Sequence, residues 1–360
     1  MVSAIIREAI DAIPAPDEAA RAAAVALQAQ LTKPAGALGR LEDLHLWAAG
    51  ILHDPAPLPP QKTIVIAAAD HGVARSGVSA YPQAVTAQML ANFVAGGAAI
   101  NVLAAHAGAR LVVVDAGVMS DSCITQPVRI IKMRNGTDDM TRGPAMLHQE
   151  ALTLVERGIE LAREIAAAGV RLIGLGDMGI GNTTAAAALT SVFTGTPPRM
   201  TAGRGTGLDD AGFARKVTAI ERALAVNDPD PLDPVAALAA VGGYEIAVLC
   251  GVAIGAGSAG CGIVLDGYPT TAAALAAVAM APALLSCMLA SHVSAEPGHR
   301  IALGHLGLRP LLDFDMRLGE GTGAALTMSL LDAALRIPRE MATFETGGVS
   351  RAPSVQRPEA

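Results

Sequence analysis

From about residue 61 the chain repeats one pattern: a short apolar run rich in β-branched residues, a long helical stretch, then another such run. The runs are KTIVIAAAD (62–70), ARLVVVDAGV (109–118), VRIIKMR (128–134), VRLIGLGDMG (170–179) and GIVLDG (262–267). A half-exposed antiparallel strand would alternate apolar with polar residues. Fully apolar strands separated by helices instead imply a parallel sheet covered on both faces. The pattern therefore predicts a doubly wound α/β domain. Ligands of such domains bind beyond the carboxyl ends of the strands, where these runs place Asp70, Asp115, the segment Gly176 to Asn182, and Asp266.

The first sixty residues carry no strand signal. One helix is expected to end at Pro14, a second to start at Asp17 as N-cap and reach about Leu31, and a third to cover roughly Leu38 to His53. DPAPLPP (54–60) then reads as a rigid turn and a domain boundary. The expected organisation is a small helical domain from residues 1–60, completed by residues 336–360, and a large α/β domain over 61–335 that holds the active site. The tail after the last helix, TFETGGVSRAPSVQRPEA, is expected to find little to pack against.

Composition narrows the function classes. With 52% hydrophobic and 16% charged residues the chain must bury a large core, and a formal charge of −7 without a run of Lys or Arg argues against nucleic acid as partner. The four cysteines, Cys123, Cys250, Cys261 and Cys287, form no CxxC pair and lie in or near apolar sequence, which predicts buried free thiols and a cytoplasmic location. Arg7, Glu8 and Asp11 make the N-terminal stretch an amphipathic helix rather than a signal peptide. Two spans, Ile246 to Leu265 and Gly267 to Ala295, lack Asp, Glu, Lys and Arg and are long enough to cross a membrane. They are Ala- and Gly-rich, Pro282 interrupts the second, and their flanks are acidic, so buried α/β core is the expectation and membrane insertion is not.

Four glycine-rich loops stand out: GDMGIGNTT (176–184), GRGTG (203–207), GAGSAG (255–260) and GEGTG (319–323). The third matches GxGxxG but lacks a preceding strand and a following acid, so close helix packing explains it better than a dinucleotide site. The first follows a good strand and opens a helix, where backbone N–H groups bind phosphate or carboxylate. In the second, Arg204 and Lys216 beyond it are possible anion contacts or simply surface charges. No Walker A sequence, GxSxG elbow, HExxH or nucleophilic cysteine context occurs, which disfavours covalent and metal catalysis. His71, His292 and His299 are expected to serve as hydrogen-bonding or structural residues.

Together LTKPAGALGRLE (31–42), AADHGV (68–73), GVSAYPQAVTAQM (77–89), GGAAINVLA (96–104), GDMGIGNTTAAAAL (176–189), GGYEIA (242–247), LDGYPTTAAAL (265–275), SHVSAEPGH (291–299) and LGEGTGAAL (318–326) resemble the nicotinate-nucleotide–dimethylbenzimidazole phosphoribosyltransferase family, in order and over almost the whole chain. The resemblance implies transfer of the phosphoribosyl group of nicotinate mononucleotide to 5,6-dimethylbenzimidazole, giving α-ribazole 5′-phosphate and nicotinate, a step in cobalamin synthesis. It implies a Rossmann-like parallel sheet with helices on both faces, a small helical domain from both chain ends, and a homodimer. It also implies Glu320 as general base and substrate contacts at Gln88, Asp177, Gly179, Ile180, Asn182, Gly203, Lys216, Ser294, Leu318 and Gly319. No cofactor, metal, nucleic acid or membrane partner is implied. The family's loop is usually GEMGIGNTT, whereas this chain carries Asp177, one methylene shorter.

The chemistry explains why one acid suffices in GEGTG. Nicotinate leaves from a pyridinium nitrogen that is already cationic, so no general acid is needed. The attacking benzimidazole carries a proton on its other nitrogen that becomes acidic as the new bond forms, and one carboxylate within roughly 2.6–3.2 Å can take it. A capping acid at a helix N-terminus is the simpler alternative for Glu320. A non-catalytic nucleotide sensor on the same scaffold would keep the glycine loops and could dispense with Glu320, while a membrane carrier of aromatic bases would need the two apolar spans to insert.

Overall fold

The protein's structure is a computed structural model that describes residues 3–120 and 127–351; the expected free thiol of Cys123 lies outside the described residues. The chain divides into two compact units, one of residues up to Ala15 with Pro60–Ser329, the other of Pro16–Pro59 with the residues from Leu330 onward. The second division falls inside the helix Thr322–Glu340. The N-terminal helix Ala4–Asp11 thus goes with the larger unit, not the small one expected to contain it. Its buried face, Ile6 and Ala9, packs on the helices Tyr244–Ser258 and His148–Ala167.

In the larger unit, among the described residues, six parallel strands form one sheet: β1 Gln61–Ala69, β2 Ala109–Gly117, β3 Arg129–Ile130, β4 Val170–Met178, β5 Gly262–Leu265 and β6 Met288–Ala290. Their order across the sheet is β3-β2-β1-β4-β5-β6, the doubly wound arrangement expected. The expected strand over 128–134 shrinks to two residues at the sheet edge. Beyond it the polar side chains are spent on other contacts: Lys132 donates to the Val118 carbonyl and Arg134 to Glu150. The short β6 carries no sequence signal of its own.

The two apolar spans resolve into core. The first is the helix Tyr244–Ser258 followed by β5, and Tyr244 through Gly257 are all buried. The second is the helix Tyr268–Met280, a 3-10 turn beginning at Pro282, and β6. GAGSAG ends the first of these helices; a Cβ on Gly255 would stand 2.6 Å from the Ile159 carbonyl oxygen, so this glycine serves close helix packing. A third stretch, Val85–His106, is also long and apolar enough to cross a membrane by composition. It is interrupted at Gly96, whose φ of 80° ends the helix Val85–Ala95 before Ala99–His106 begins.

The smaller unit is built on the helices Glu18–Gln28 and Arg40–Leu52. Asp17 caps the first through the Ala20 N–H, as expected. Buried His45 accepts from the Gln28 amide at Nδ1 and donates from Nε2 to the Pro55 carbonyl, which fixes its tautomer. The described part of the tail is anchored, contrary to expectation. Thr32 N–H bonds to Ala342 and Phe344 N–H to Gln30, so residues 342–344 lie against the segment after the first helix as a short antiparallel pairing.

Candidate active site

β1 and β4 lie side by side at the centre of the sheet, and the chain winds away from them in opposite directions. The crevice at their carboxyl ends is therefore where this topology leaves room for a ligand. Asp70 and His71 follow β1, Asp177 to Asn182 close β4, Asp266 and Gly267 follow β5, and Ser291 to Glu296 follow β6. A cavity opens there, lined by Asp177, Gly179 to Thr183, Gly267 to Pro269, His292, Ser294, Glu296, Leu318 and Gly319.

The β4 loop is organised by its own glycines and by Thr86. Ile180 N–H bonds to the Thr86 hydroxyl, Asn182 N–H to the Gly179 carbonyl and Thr184 N–H to that of Gly181. Gly181, with φ of 97°, turns the chain into the helix Asn182–Thr194. Gly181 and Thr183 line the cavity at this helix start. The Asn182 side chain is directed elsewhere, donating to Asp177 Oδ2 at 2.8 Å. Asp177 Oδ1 has no partner among the described residues.

The GEGTG loop crosses over the end of β4. Three successive residues are left-handed: Gly319 at φ 81°, Glu320 at 64° and Gly321 at 88°. For the two glycines this is unstrained, but a non-glycine residue rarely adopts it. Glu320 is 4% exposed, its N–H bonds to the Asp177 carbonyl, and its Oε2 has no partner among the described residues. Glu320 does not itself line the cavity; it stands behind Gly319 and Asp177, which do. It does not cap the following helix either. That cap is Asp266, whose carboxylate accepts the N–H groups of Gly321, Gly323 and Ala324.

Asp177, Asp266, Glu245 and Glu320 thus gather at one end of the sheet. Burial raises Asp177 well above the ordinary carboxylate range and Asp266 adds to this, against the Asn182 hydrogen bond; burial likewise raises Glu320 and pushes Asp266 up to about 7. Glu245 bonds to His71 Nε2 at 2.7 Å in full burial. Burial would lower the His71 pKa, but the facing carboxylate outweighs it and the pKa is raised. The other two loop histidines are neutral. Burial takes His292 down to about 4 and His299 to about 3. His299 Nδ1 accepts the Ser294 N–H, so Nε2 carries the proton and donates to Thr271.

Of the residues proposed from sequence, the cavity brings together Asp177, Gly179, Ile180, Asn182, Ser294, Leu318 and Gly319. Gly203 lines an adjoining cavity with Arg199, Arg204 and Arg317, and its missing side chain leaves room for Glu296. Lys216 is fully buried behind the wall, its ammonium donating to the Thr183 hydroxyl at 2.8 Å with Glu296 at 3.9 Å. Gln88 is exposed on the helix Val85–Ala95 and does not line the cavity. In the sequence Asp266 is only an acid at a strand end, and Glu296, which accepts the Gly205 N–H, and Thr86 carry no signal of their own. Only their positions within the motif stretches could have flagged them.

A family model described as Phosphoribosyltransferase matches residues 13–349. The chain is 52% identical over 348 residues to nicotinate-nucleotide–dimethylbenzimidazole phosphoribosyltransferase of Desulforudis audaxviator (strain MP104C), covering 97% of this chain and 99% of that protein. It is 51% identical over 346 residues to the protein of the same name from Roseiflexus sp. (strain RS-1), covering 96% and 98%. The crystal structure of CobT from Thermus thermophilus is similar with a TM-score of 0.89 at 48% identity, covering 93% of this chain and 100% of that one.

Proposed function

The chain belongs to the nicotinate-nucleotide–dimethylbenzimidazole phosphoribosyltransferase family, and from that premise we propose how its residues carry out the transfer. It catalyses phosphoribosyl transfer from nicotinate mononucleotide to 5,6-dimethylbenzimidazole, giving α-ribazole 5′-phosphate and nicotinate. The donor's phosphate sits at the start of the helix Asn182–Thr194, on the Gly181 and Thr183 N–H groups and beside Gly179, Gly203 and Ser294, where the helix dipole and buried Lys216 make the field positive. The flat acceptor lies over Gly319 between Leu318 and Asp177.

One nitrogen of the acceptor attacks C1′ as the bond from C1′ to the pyridinium nitrogen breaks, and that bond's electron pair neutralises the departing ring. The new C1′–N bond forms on the opposite face, which converts the β donor into the α product in one displacement. The proton on the acceptor's second nitrogen passes to Glu320. The observation that carries this reading is a buried carboxylate whose Oε2 has no partner among the described residues, on a left-handed residue immediately behind the cavity wall. Burial without a countercharge favours proton uptake, the property a base needs in the transition state.

The protein acts in the cytoplasm as a homodimer on this reading. In support, Cys250, Cys261 and Cys287 are buried and unpaired. The exposed Val102 and Ile130 are apolar surface that a partner subunit would cover. The test of function is to incubate the purified chain with nicotinate mononucleotide and a panel of bases and follow both products. Equal amounts of nicotinate and the α-nucleotide, formed with dimethylbenzimidazole, support it; nicotinate release that is independent of added base would contradict it.

A further inference from the structure

The peptide that follows Glu320 is gripped from both sides, and we propose that Asp266 is a positioning residue for the transfer, holding Glu320 in its left-handed conformation so that its carboxylate stands where it can take the proton. The inference rests on the reading of Glu320 as base.

Asp266 is 1% exposed, and its two oxygens serve three donors. Oδ1 takes the N–H groups of Gly323 at 2.7 Å and Ala324 at 3.2 Å, while Oδ2 takes that of Gly321 at 2.9 Å. The first two bonds cap the helix Thr322–Glu340 and would serve any helix start. The third is different, because the Gly321 N–H belongs to the same peptide unit as the Glu320 carbonyl. It reaches Asp266 only while that peptide is turned as the Glu320 backbone now turns it. The carbonyl end of the same peptide rests on Gly176 of β4, where a Cβ would stand 2.8 Å from the Glu320 carbonyl carbon and oxygen. The peptide is thus clamped between a carboxylate and a glycine.

Asp266 is itself fixed. Its N–H donates to the Thr270 hydroxyl, its carbonyl accepts from Ser291, and the residue before it, Leu265, pairs with Ala290 in the sheet. The nearest imidazole, His292 at 3.9 Å, is uncharged at neutral pH, so the carboxylate is held by N–H dipoles and not by a cation. A left-handed glutamate persists only where its surroundings over-determine it, and here the over-determining contacts come from β4 and the β5 loop. These contacts link the sheet directly to the base.

Asparagine caps a helix about as well as aspartate, so Asp266→Asn retains the cap through its oxygen while turning an amide N–H₂ toward Gly321. With Asp266→Asn, Glu320→Gln and the double variant, we would measure kcat, both KM values, thermal midpoint and donor binding. Asp266→Asn should lower kcat by about 10²-fold, the scale of a misplaced catalytic group, with donor KM and melting close to wild type. In the Glu320→Gln background the same change should add little, because both act through one carboxylate. Three results would overturn the proposal: full activity of Asp266→Asn beside an impaired Glu320→Gln, losses that multiply in the double variant, or a loss of folding in both Asp266→Asn and Asp266→Ser, which would make the residue a requirement of the fold alone. Full activity of Glu320→Gln would instead remove the base itself, and with it the premise.

Discussion

Glu320 and Lys216 are both buried ionisable groups whose surroundings move their pKa toward neutrality, and on the proposed mechanism each would give the reaction a pH signature. As the proposed base, Glu320 must be deprotonated to act, and burial raises it above the ordinary glutamate value of 4.5, with Asp177 and Asp266 raised beside it. Activity should therefore fall with decreasing pH along a limb that lies above 4.5 and belongs to the acid cluster as a whole. Lys216 is lowered to about 8 by burial, partly offset by Glu296. Its charge is lost as pH rises through that value, so kcat/KM for the donor should decline there, and Lys216→Ala should raise donor KM by about ten- to a hundredfold, the worth of a charge-assisted contact of about 1.5–3 kcal/mol, with acceptor KM near wild type. An unchanged donor KM would take Lys216 out of the site. The residues proposed to carry the chemistry draw attention in sequence where they sit in a loop of unusual composition, as Glu320 and Asn182 do. Asp266 was read only as a strand-end acid. Its partners are backbone N–H groups 55 to 58 positions away, and no spacing in the sequence announces them.

At the scale of elements, the strands that lie inside the sheet were read from their apolar β-branched runs, because burial on both faces leaves a strong signal. The edges were not. β3 was expected to be longer, and β6 is three residues hidden in an apolar span, since an edge strand's length is set by what its neighbours offer. The tail pairing at residues 342–344 was likewise invisible, being made by backbone groups. Gly176 is the element-scale test, because β4 and the GEGTG loop touch there without room for a methyl group. Gly176→Ala should cost about 1–3 kcal/mol of stability, as overpacking does, and should shift the Glu320 peptide enough to reduce kcat about 10²-fold. Thermal unfolding and turnover on the same preparation measure both; an active variant of normal stability would mean the loop has more freedom than this contact allows.

Over the whole molecule, the candidate site residues all fall in the unit Pro60–Ser329, while the unit of Pro16–Pro59 and the C-terminal residues carries its own buried network around His45. A homodimer is the expected assembly, and sedimentation at micromolar concentration should give twice the 36.4 kDa chain mass; a fully active monomer would contradict it. The division of the chain was legible at DPAPLPP but not at its second boundary, which lies inside a continuous helix with no change of pattern. The central claim, that one buried carboxylate takes the only proton the reaction must move, is tested most directly by kcat for Glu320→Gln with dimethylbenzimidazole. Glutamine keeps the size and one hydrogen-bonding oxygen but cannot accept the proton. A fall of roughly 10²- to 10⁴-fold with donor binding intact is the result predicted, and a kcat equal to that of the unaltered protein would contradict it.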